Sequence, residues 1–267
     1  MDIKEYYRKT ARISFIVSCI SFTLTIFTLI YFILTDLQRD MFSTIIPFVC
    51  MGSVYLASFF INQKRYKDVP AIIKSGNVSF WEVQDLLMAH MPAPTLRILL
   101  FKPNGELVGE LRDQNMKWYM WLLPNQLTVV LPKKYGLYDS NNQLLASYSV
   151  GWGITNKTKM FDETNTWIGT YEEDWKNSMI KITGTVKNHV DEPWMPIQIS
   201  GFLQQFSIKD FDGKRIASFQ KGWMPLQWGK IFKEINTPIL TFSELADKRE
   251  RIAVFGLCAS FMHHNKN

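Results

Sequence analysis

Ile252-Ala253-Val254-Phe255-Gly256-Leu257-Cys258-Ala259-Ser260-Phe261-Met262 is the stretch on which the fold turns. These eleven residues carry no charge and no polar face, so water cannot cover any side of a helix built from them. At 1.5 Å per residue they span about 16 Å, too short to cross a hydrocarbon core of about 30 Å. Something within the chain must enclose them. Ser243 supplies a capping hydroxyl ahead of them, and Glu244 and Asp247 suit the positive end of a helix dipole. A helix over 243–264 is therefore expected, with Ile252, Phe255, Gly256 and Ser260 in a core. Ala253, Gly256 and Ser260 would give it a small-residue side where strands can approach closely.

The material able to wrap that helix lies before it, and its pattern is one of short strands. Segments at 96–101, 106–112, 116–123 and 127–131 are split by Pro103-Asn104-Gly105 and Pro124-Asn125-Gln126. Further strands are expected at 135–138, 143–150, 157–161, 167–172, 179–186, 202–209 and 215–221, with 231–235 and 238–242 last. Asp210-Phe211-Asp212-Gly213 makes the turn of the 202–221 hairpin. A dozen or so strands at this spacing indicate an antiparallel sandwich or barrel. A barrel threaded by its own C-terminal helix solves the burial problem on every side, whereas a sandwich covers one. The expected fold is mainly β: an antiparallel barrel domain over 96–267 around a hydrophobic C-terminal helix.

The chain ahead of the strands has a different chemistry. No charged residue occurs in 13–35 or in 41–63, and each run of 23 residues makes a helix about 35 Å long. Each exceeds the hydrocarbon core and lacks a face that water could wet, so two transmembrane helices are expected. A cleavable signal peptide fits poorly, because the first run is longer than an h-region and no small-x-small site precedes Asp36. Lys4, Arg8, Lys9 and Arg12 lie in the leading segment 1–12, and Lys64, Arg65 and Lys67 follow the second run. The connecting loop 36–40 has one Arg and two Asp. The positive-inside rule then gives a two-pass protein of the cell membrane with both termini cytoplasmic and the loop outside. Residues 64–95 read as a juxtamembrane linker broken at Val69-Pro70. Within it, Ser79 and Glu82 form a capping box for an amphipathic helix at 79–91 whose Phe80, Val83, Leu87 and Met91 share a face.

The net charge of +6 is diffuse, with neither an Arg-rich run nor an aromatic stacking signature, so nucleic acid is not an expected partner. Cys19, Cys50 and Cys258 form no spaced pair, which argues against a disulfide framework and against a zinc site. No nucleophile elbow, phosphate-binding glycine loop or dinucleotide fingerprint is present. His189 beside Asp191 and Glu192 could be oriented for acid–base work, but a polar loop over 188–193 is the simpler account. The expectation is a protein without catalytic residues, metal or cofactor. The most suggestive surface element is Lys221-Gly222-Trp223-Met224-Pro225-Leu226-Gln227-Trp228-Gly229-Lys230. Trp223 and Trp228 favour a headgroup boundary, while Lys221 and Lys230 meet anionic lipid. Lys133 and Lys134 would add charge if they lay on the same side. The competing account is that both Trp pack on the barrel.

Four motifs occur in an order that resembles the tubby C-terminal-like superfamily, which includes phospholipid scramblases and the plant LURP-one-related proteins. They are Lys134-Tyr135-Gly136-Leu137-Tyr138-Asp139 with Gln143-Leu144-Leu145, Phe206-Ser207-Ile208-Lys209-Asp210-Phe211-Asp212-Gly213 with Ile216-Ala217, Gln220-Lys221, and Asp247-Lys248-Arg249 leading into 252–262. The likeness covers residues 116–264, about half of the chain, and is greatest to bacterial membrane-anchored members. It implies a twelve-stranded barrel around a hydrophobic C-terminal helix. Two scramblase features are missing. The stretch 234–241 has one carboxylate where those proteins have an acidic calcium segment, and hard cations want several oxygens. The cysteine-rich palmitoylation segment is also absent. The resemblance and the residues together imply a non-catalytic anchored domain that binds membrane lipids or a membrane protein partner. The alternatives are a scaffold or accessory subunit of a membrane complex, and lipid scrambling. For scrambling, helices with no polar residues beyond Ser, Thr, Asn and Gln offer no obvious headgroup path.

Overall fold

The computed structural model describes residues 1–35, 41–72, 79–117, 120, 132–151, 157–174, 181–200, 204–222 and 224–264. The loop 36–40, most of the expected strand 116–123, the expected strand 127–131 with the turn before it, and Trp223 lie outside the described residues. The chain divides into two compact units, Met1–Ile72 and Ile73–Asn267.

The first unit is a pair of helices, α1 (Ile3–Thr35) and α2 (Met41–Asp68). Both are long and apolar enough to cross a membrane, and both run on into the basic flanks beyond the uncharged segments. Ser14, Ser18, Ser21 and Thr25 recur at spacings of four, three and four, which makes one buried stripe on α1. The stripe packs on α2: the Ser14 and Ser58 hydroxyls are 3.1 Å apart, and Ser18 Oγ donates to Gly52 O at 2.9 Å. Asn62 Nδ2 donates to Ser58 O at 2.9 Å. Small residues let two backbones approach, and the hydrogen bonds satisfy groups that lipid tails could not. At the basic ends Lys4 Nζ donates to Val69 O at 3.0 Å, a cation closing the C-terminus of α2. Lys4 also lies over the Tyr66 ring, and Arg65 over that of Tyr7.

The second unit is a nearly closed antiparallel barrel of twelve strands. They are β1 (Asp85–His90), β2 (Arg97–Phe101), β3 (Leu107–Asp113), β4 (Lys133–Asp139), β5 (Leu144–Val150) and β6 (Lys157–Asp162). The series continues with β7 (Trp167–Glu173), β8 (Lys181–Asn188), β9 (Pro193–Ser200), β10 (Gln205–Lys209), β11 (Arg215–Gln220) and β12 (Ile239–Phe242). The order round the sheet is β10-β11-β12-β1 and then sequentially to β9, so the seam lies between β9 and β10.

Five hairpins, β2–β3, β4–β5, β6–β7, β8–β9 and β10–β11, share one design. Each turn closes with a residue at positive φ: Gly105, Asn142, Asn165, Asp191 and Gly213. Three residues before it stands Lys102, Asp139, Asp162, Asn188 or Asp210, whose carbonyl accepts the N–H of that residue. The last four of these also accept backbone N–H groups on their side-chain oxygen. Three residues after the positive-φ position the register shifts, leaving Val108, Leu145, Ile168, Trp194 and Ile216 as the extra residue of a bulge. Bulges sharpen the local twist, which curls the sheet toward closure. All five turns lie at the same end of the barrel.

The C-terminal helix α4 spans Lys248–His264, after a one-turn helix α3 (Leu226–Gly229) in the preceding loop. It starts five residues later than 243. Its cap is Asp247, whose Oδ1 accepts the Glu250 N–H at 2.7 Å while Glu250 Oε2 accepts the Asp247 N–H at 2.8 Å. That reciprocal pair is a capping box. Every residue from Arg251 to Phe261 is buried. The helix packs on β5, β6 and β7 and also on β11 across the ring, so the barrel encloses it. Ile252, Phe255 and Ser260 are at most 1% exposed. At Gly256 an added Cβ would lie 2.9 Å from Met160 Cε and Sδ, so the Met160 side chain of β6 packs directly on the helix backbone. Arg251 is buried at the mouth, its Nη1 donating to Val83 O at 2.7 Å and its guanidinium lying 4.7 Å from the Phe242 ring centroid.

Three expectations are corrected. The amphipathic helix at 79–91 is absent: Phe80–Glu82 makes a single 3-10 turn, and β1 follows. Leu86 and Met88 face the core while Leu87 and Ala89 are buried on the opposite face. A strand covered on both faces loses polar alternation, and its continuous apolar run then imitates helical spacing. The segment 231–235 is loop rather than strand, because Phe232 turns inward as an anchor. Strand β9 was not expected, since Pro193 and Pro196 within it argue against a strand. It lies beside the seam, where ladder hydrogen bonds are fewer.

Candidate functional site

The loop 221–238 leaves β11 through Gly222, whose φ of 97° suits a residue without a side chain. It is tied to the outer wall of the barrel by Phe232, which is 2% exposed and meets Phe101 edge-on at 6.1 Å between centroids. The backbone N–H groups of Ile231 and Phe232 both donate to Trp228 O, at 2.9 and 2.8 Å, so the α3 turn is fixed to this anchor. Thr237 Oγ1 donates to Glu234 O at 2.7 Å and stiffens the return.

From that anchored turn and its return, apolar side chains meet solvent. Leu226 is 93% exposed and Ile235 is 79% exposed. Lys221, Pro225, Gln227 and Lys230, near Leu226 in sequence, are exposed, and Trp228 is half-buried. A single exposed leucine needs no explanation; one held outward on an anchored turn between two lysines invites one. The sequence pointed to this loop through its Trp and Lys residues. It did not point to Leu226, because a leucine beside Pro and Trp reads as core.

The lysines of β4 do not join this surface. Lys133 is buried, its side chain 4% exposed and its Nζ 3.4 Å from Asp113 Oδ2, so it is withdrawn as a lipid contact. A buried cation so placed completes an internal ion pair. Lys134 is exposed. Five steps round the strand order separate β4 from β11, so the ladder does not bring Lys134 to Lys221.

Little acid–base or nucleophilic chemistry gathers elsewhere among the described residues. Burial pushes the Cys258 thiol up to about 12, which leaves it protonated and unreactive at neutral pH. His189 occupies the β8–β9 turn, where Asn188 Oδ1 accepts the N–H groups of Val190 and Glu192. No cluster of three metal-ligating side chains occurs among the described residues. The turn end of the barrel carries an open cleft of about 400 Å³ lined by Phe80, Trp81, Lys102, Glu106, Asp139 and Asn141 among others. Lys102 and Glu106 pair across 3.2 Å within it, and Lys248 lies 5.5 Å from the Trp81 ring centroid. Comparison with family models, curated proteins and solved structures finds no match to this chain.

Proposed function

We propose that this chain is a two-pass protein of the cell membrane, both termini cytoplasmic, whose tubby-like barrel binds a lipid surface and catalyses no reaction. The observation that carries the lipid reading is Leu226, almost fully exposed on an anchored turn and bracketed by Lys221 and Lys230. An exposed leucine side chain gains about 2 kcal/mol when a bilayer interface covers it. Flanking lysines add attraction to anionic headgroups of about 1 kcal/mol each at low salt. Twelve strands around a buried C-terminal helix support the family reading. Neither a cofactor nor nucleic acid enters this function. A protein partner is the second reading, favoured by the cleft beside Trp81, whose mixed polar and aromatic walls suit a peptide segment.

The test is flotation of residues 73–267 with vesicles of zwitterionic lipid, with and without an anionic component. The native domain is expected to float with anionic vesicles. Lys221→Ala with Lys230→Ala should lower binding at low salt and matter little at high salt, since screening removes exposed charge contacts. Leu226→Ser should lower it at every salt concentration without a change in urea midpoint, because the residue contacts solvent. Trp228→Ala needs the same stability control, because that residue is partly buried. A native domain that ignores both vesicle types would transfer the assignment to a protein partner.

A further inference from the structure

The helix pair has a cleft of its own, within the first unit. Arg8, Ala11, Arg12 and Phe15 stand at i, i+3, i+4 and i+7 on one face of α1, and Phe59, Gln63 and Tyr66 at i, i+4 and i+7 on α2. These two faces enclose a cleft of about 300 Å³ within the first unit. Its floor is apolar: Ala11 is buried, and the Phe15 and Phe59 rings meet at 5.2 Å between centroids. Its rim is cationic and hydrogen-bonding, from Arg8, Arg12, Gln63 and Tyr66.

The charge balance at that rim is unfinished. Arg8 and Arg12 are one turn apart on the same face, an arrangement that repels. Glu5 is the acid near them, 3.9 Å from Arg8 and 3.3 Å from Lys9, so one carboxylate serves two cations. Arg12 forms no ion pair among the described residues. Depth agrees with charge. Arg12 is the last charged residue before the uncharged run 13–35, and Gln63 closes the run 41–63. In a hairpin that crosses a bilayer the cleft therefore sits at the boundary between hydrocarbon and headgroups, where guanidinium groups reach outward along their stems. Guanidinium forks match phosphate oxygens in pairs, and the two phenyl rings offer the start of an acyl chain an apolar path.

We infer that this cleft binds one anionic glycerophospholipid from the leaflet beside the basic helix ends, its phosphodiester between Arg8 and Arg12 and its chain over Phe15 and Phe59. A volume of about 300 Å³ is at the small end for ligand sites, which fits a headgroup with the first part of a chain. The inference rests on the hairpin spanning a bilayer and is independent of the Leu226 loop.

Native mass spectrometry of the full chain, released from detergent supplied with phosphatidylglycerol and phosphatidylcholine in equal amount, tests it. The wild type should retain phosphatidylglycerol over phosphatidylcholine by about tenfold, as two interfacial arginines allow. Arg8→Gln with Arg12→Gln should remove most of that preference. Lys64→Gln with Lys67→Gln, which removes the same charge from outside the cleft, should keep it. Equal retention of the two lipids by the wild type overturns the site, as does an equal loss in the lysine control. Displacement of the lipid by inorganic phosphate alone overturns lipid as the occupant. Alkaline carbonate extraction of membranes is run alongside: a chain released by carbonate is not an integral anchor, and that result refutes the spanning hairpin and the cleft together.

Discussion

A methyl group added at Gly256 would meet the sulfur and terminal carbon of Met160 at 2.9 Å, inside any ordinary contact distance. Methionine is flexible, so Gly256→Ala should be absorbed by a shift of that side chain. Gly256→Leu cannot be absorbed in this way, because the helix is enclosed; overpacking should cost about 1–3 kcal/mol. Met160→Ala alone should cost about 2–5 kcal/mol through the cavity it leaves. The two changes fill and empty the same space, so the double variant should be more stable than the sum of the single effects predicts. Urea unfolding of residues 73–267 measures all four terms of the cycle. Strict additivity would show that Gly256 and Met160 do not compete, and the close approach of β6 to the helix would lose its support. Phe255→Asp should be worse than either single change, since it places an unpaired charge where 0% of the side chain meets water.

Among the elements, the five repeated turns bear most of the barrel's regularity. In the β6–β7 turn Asp162 Oδ1 accepts the Thr164 N–H at 2.9 Å, the Thr164 hydroxyl at 2.7 Å and the Thr166 N–H at 2.8 Å. Burial works to raise the Asp162 carboxyl, yet these hydrogen bonds and nearby Lys248 outweigh it and hold the group below its usual range. A carboxylate depressed in the folded state stabilises above its unfolded pKa of about 3.9, and that contribution is lost as pH falls through the folded value. Asp162→Ala should therefore cost about 1 kcal/mol at neutral pH, with the gap to wild type narrowing below about pH 4. Thermal unfolding across pH checks it; a gap independent of pH would mean that the charge adds nothing. Two of the five turns were legible by their residues, Pro103-Asn104-Gly105 and Asp210-Phe211-Asp212-Gly213, and a third as the polar loop over 188–193. The six-residue spacing common to all five, from the residue whose carbonyl closes the turn to the bulge, was not, because the connections at the other end differ in length and hide the period. The terminal helix was legible because eleven apolar residues leave no choice about burial. Its cap was misplaced by four residues, from Ser243 to Asp247, although Asp247 and Glu250 have capping-box spacing. The candidate surface was half legible: Lys221 and Lys230 are outside as their chemistry suggests, but Lys133 faces inward. Composition does not say which lysine has an aspartate waiting across the next strand.

At the scale of the whole molecule, the membrane reading rests on the helix pair. The antiparallel packing of α1 and α2 brings Lys4 to the last turn of α2, with Nζ 3.0 Å from Val69 O. Both basic segments are thus at one end of the pair. The proposed cytoplasmic side for that end rests on cations rather than on packing: Lys4, Arg8, Lys9, Arg12, Lys64, Arg65 and Lys67 flank the two uncharged runs, against Arg39 with two aspartates between them. The lysine and arginine excess favours retention in the cytoplasm. Reporters fused ahead of Met1 and after Asn267 should both read cytoplasmic, and a tag inserted within 36–40 should be labelled from outside intact cells. The charges can then be turned against the assignment. Replacing the seven basic residues with Gln while adding Lys within 36–40 should raise the fraction of inverted molecules, and it should move both terminal reporters together. Reporters that part company, one inside and one outside, would mean that a single helix crosses the membrane. The serine stripe and the cleft between α1 and α2 would then not exist in the cell as a pair.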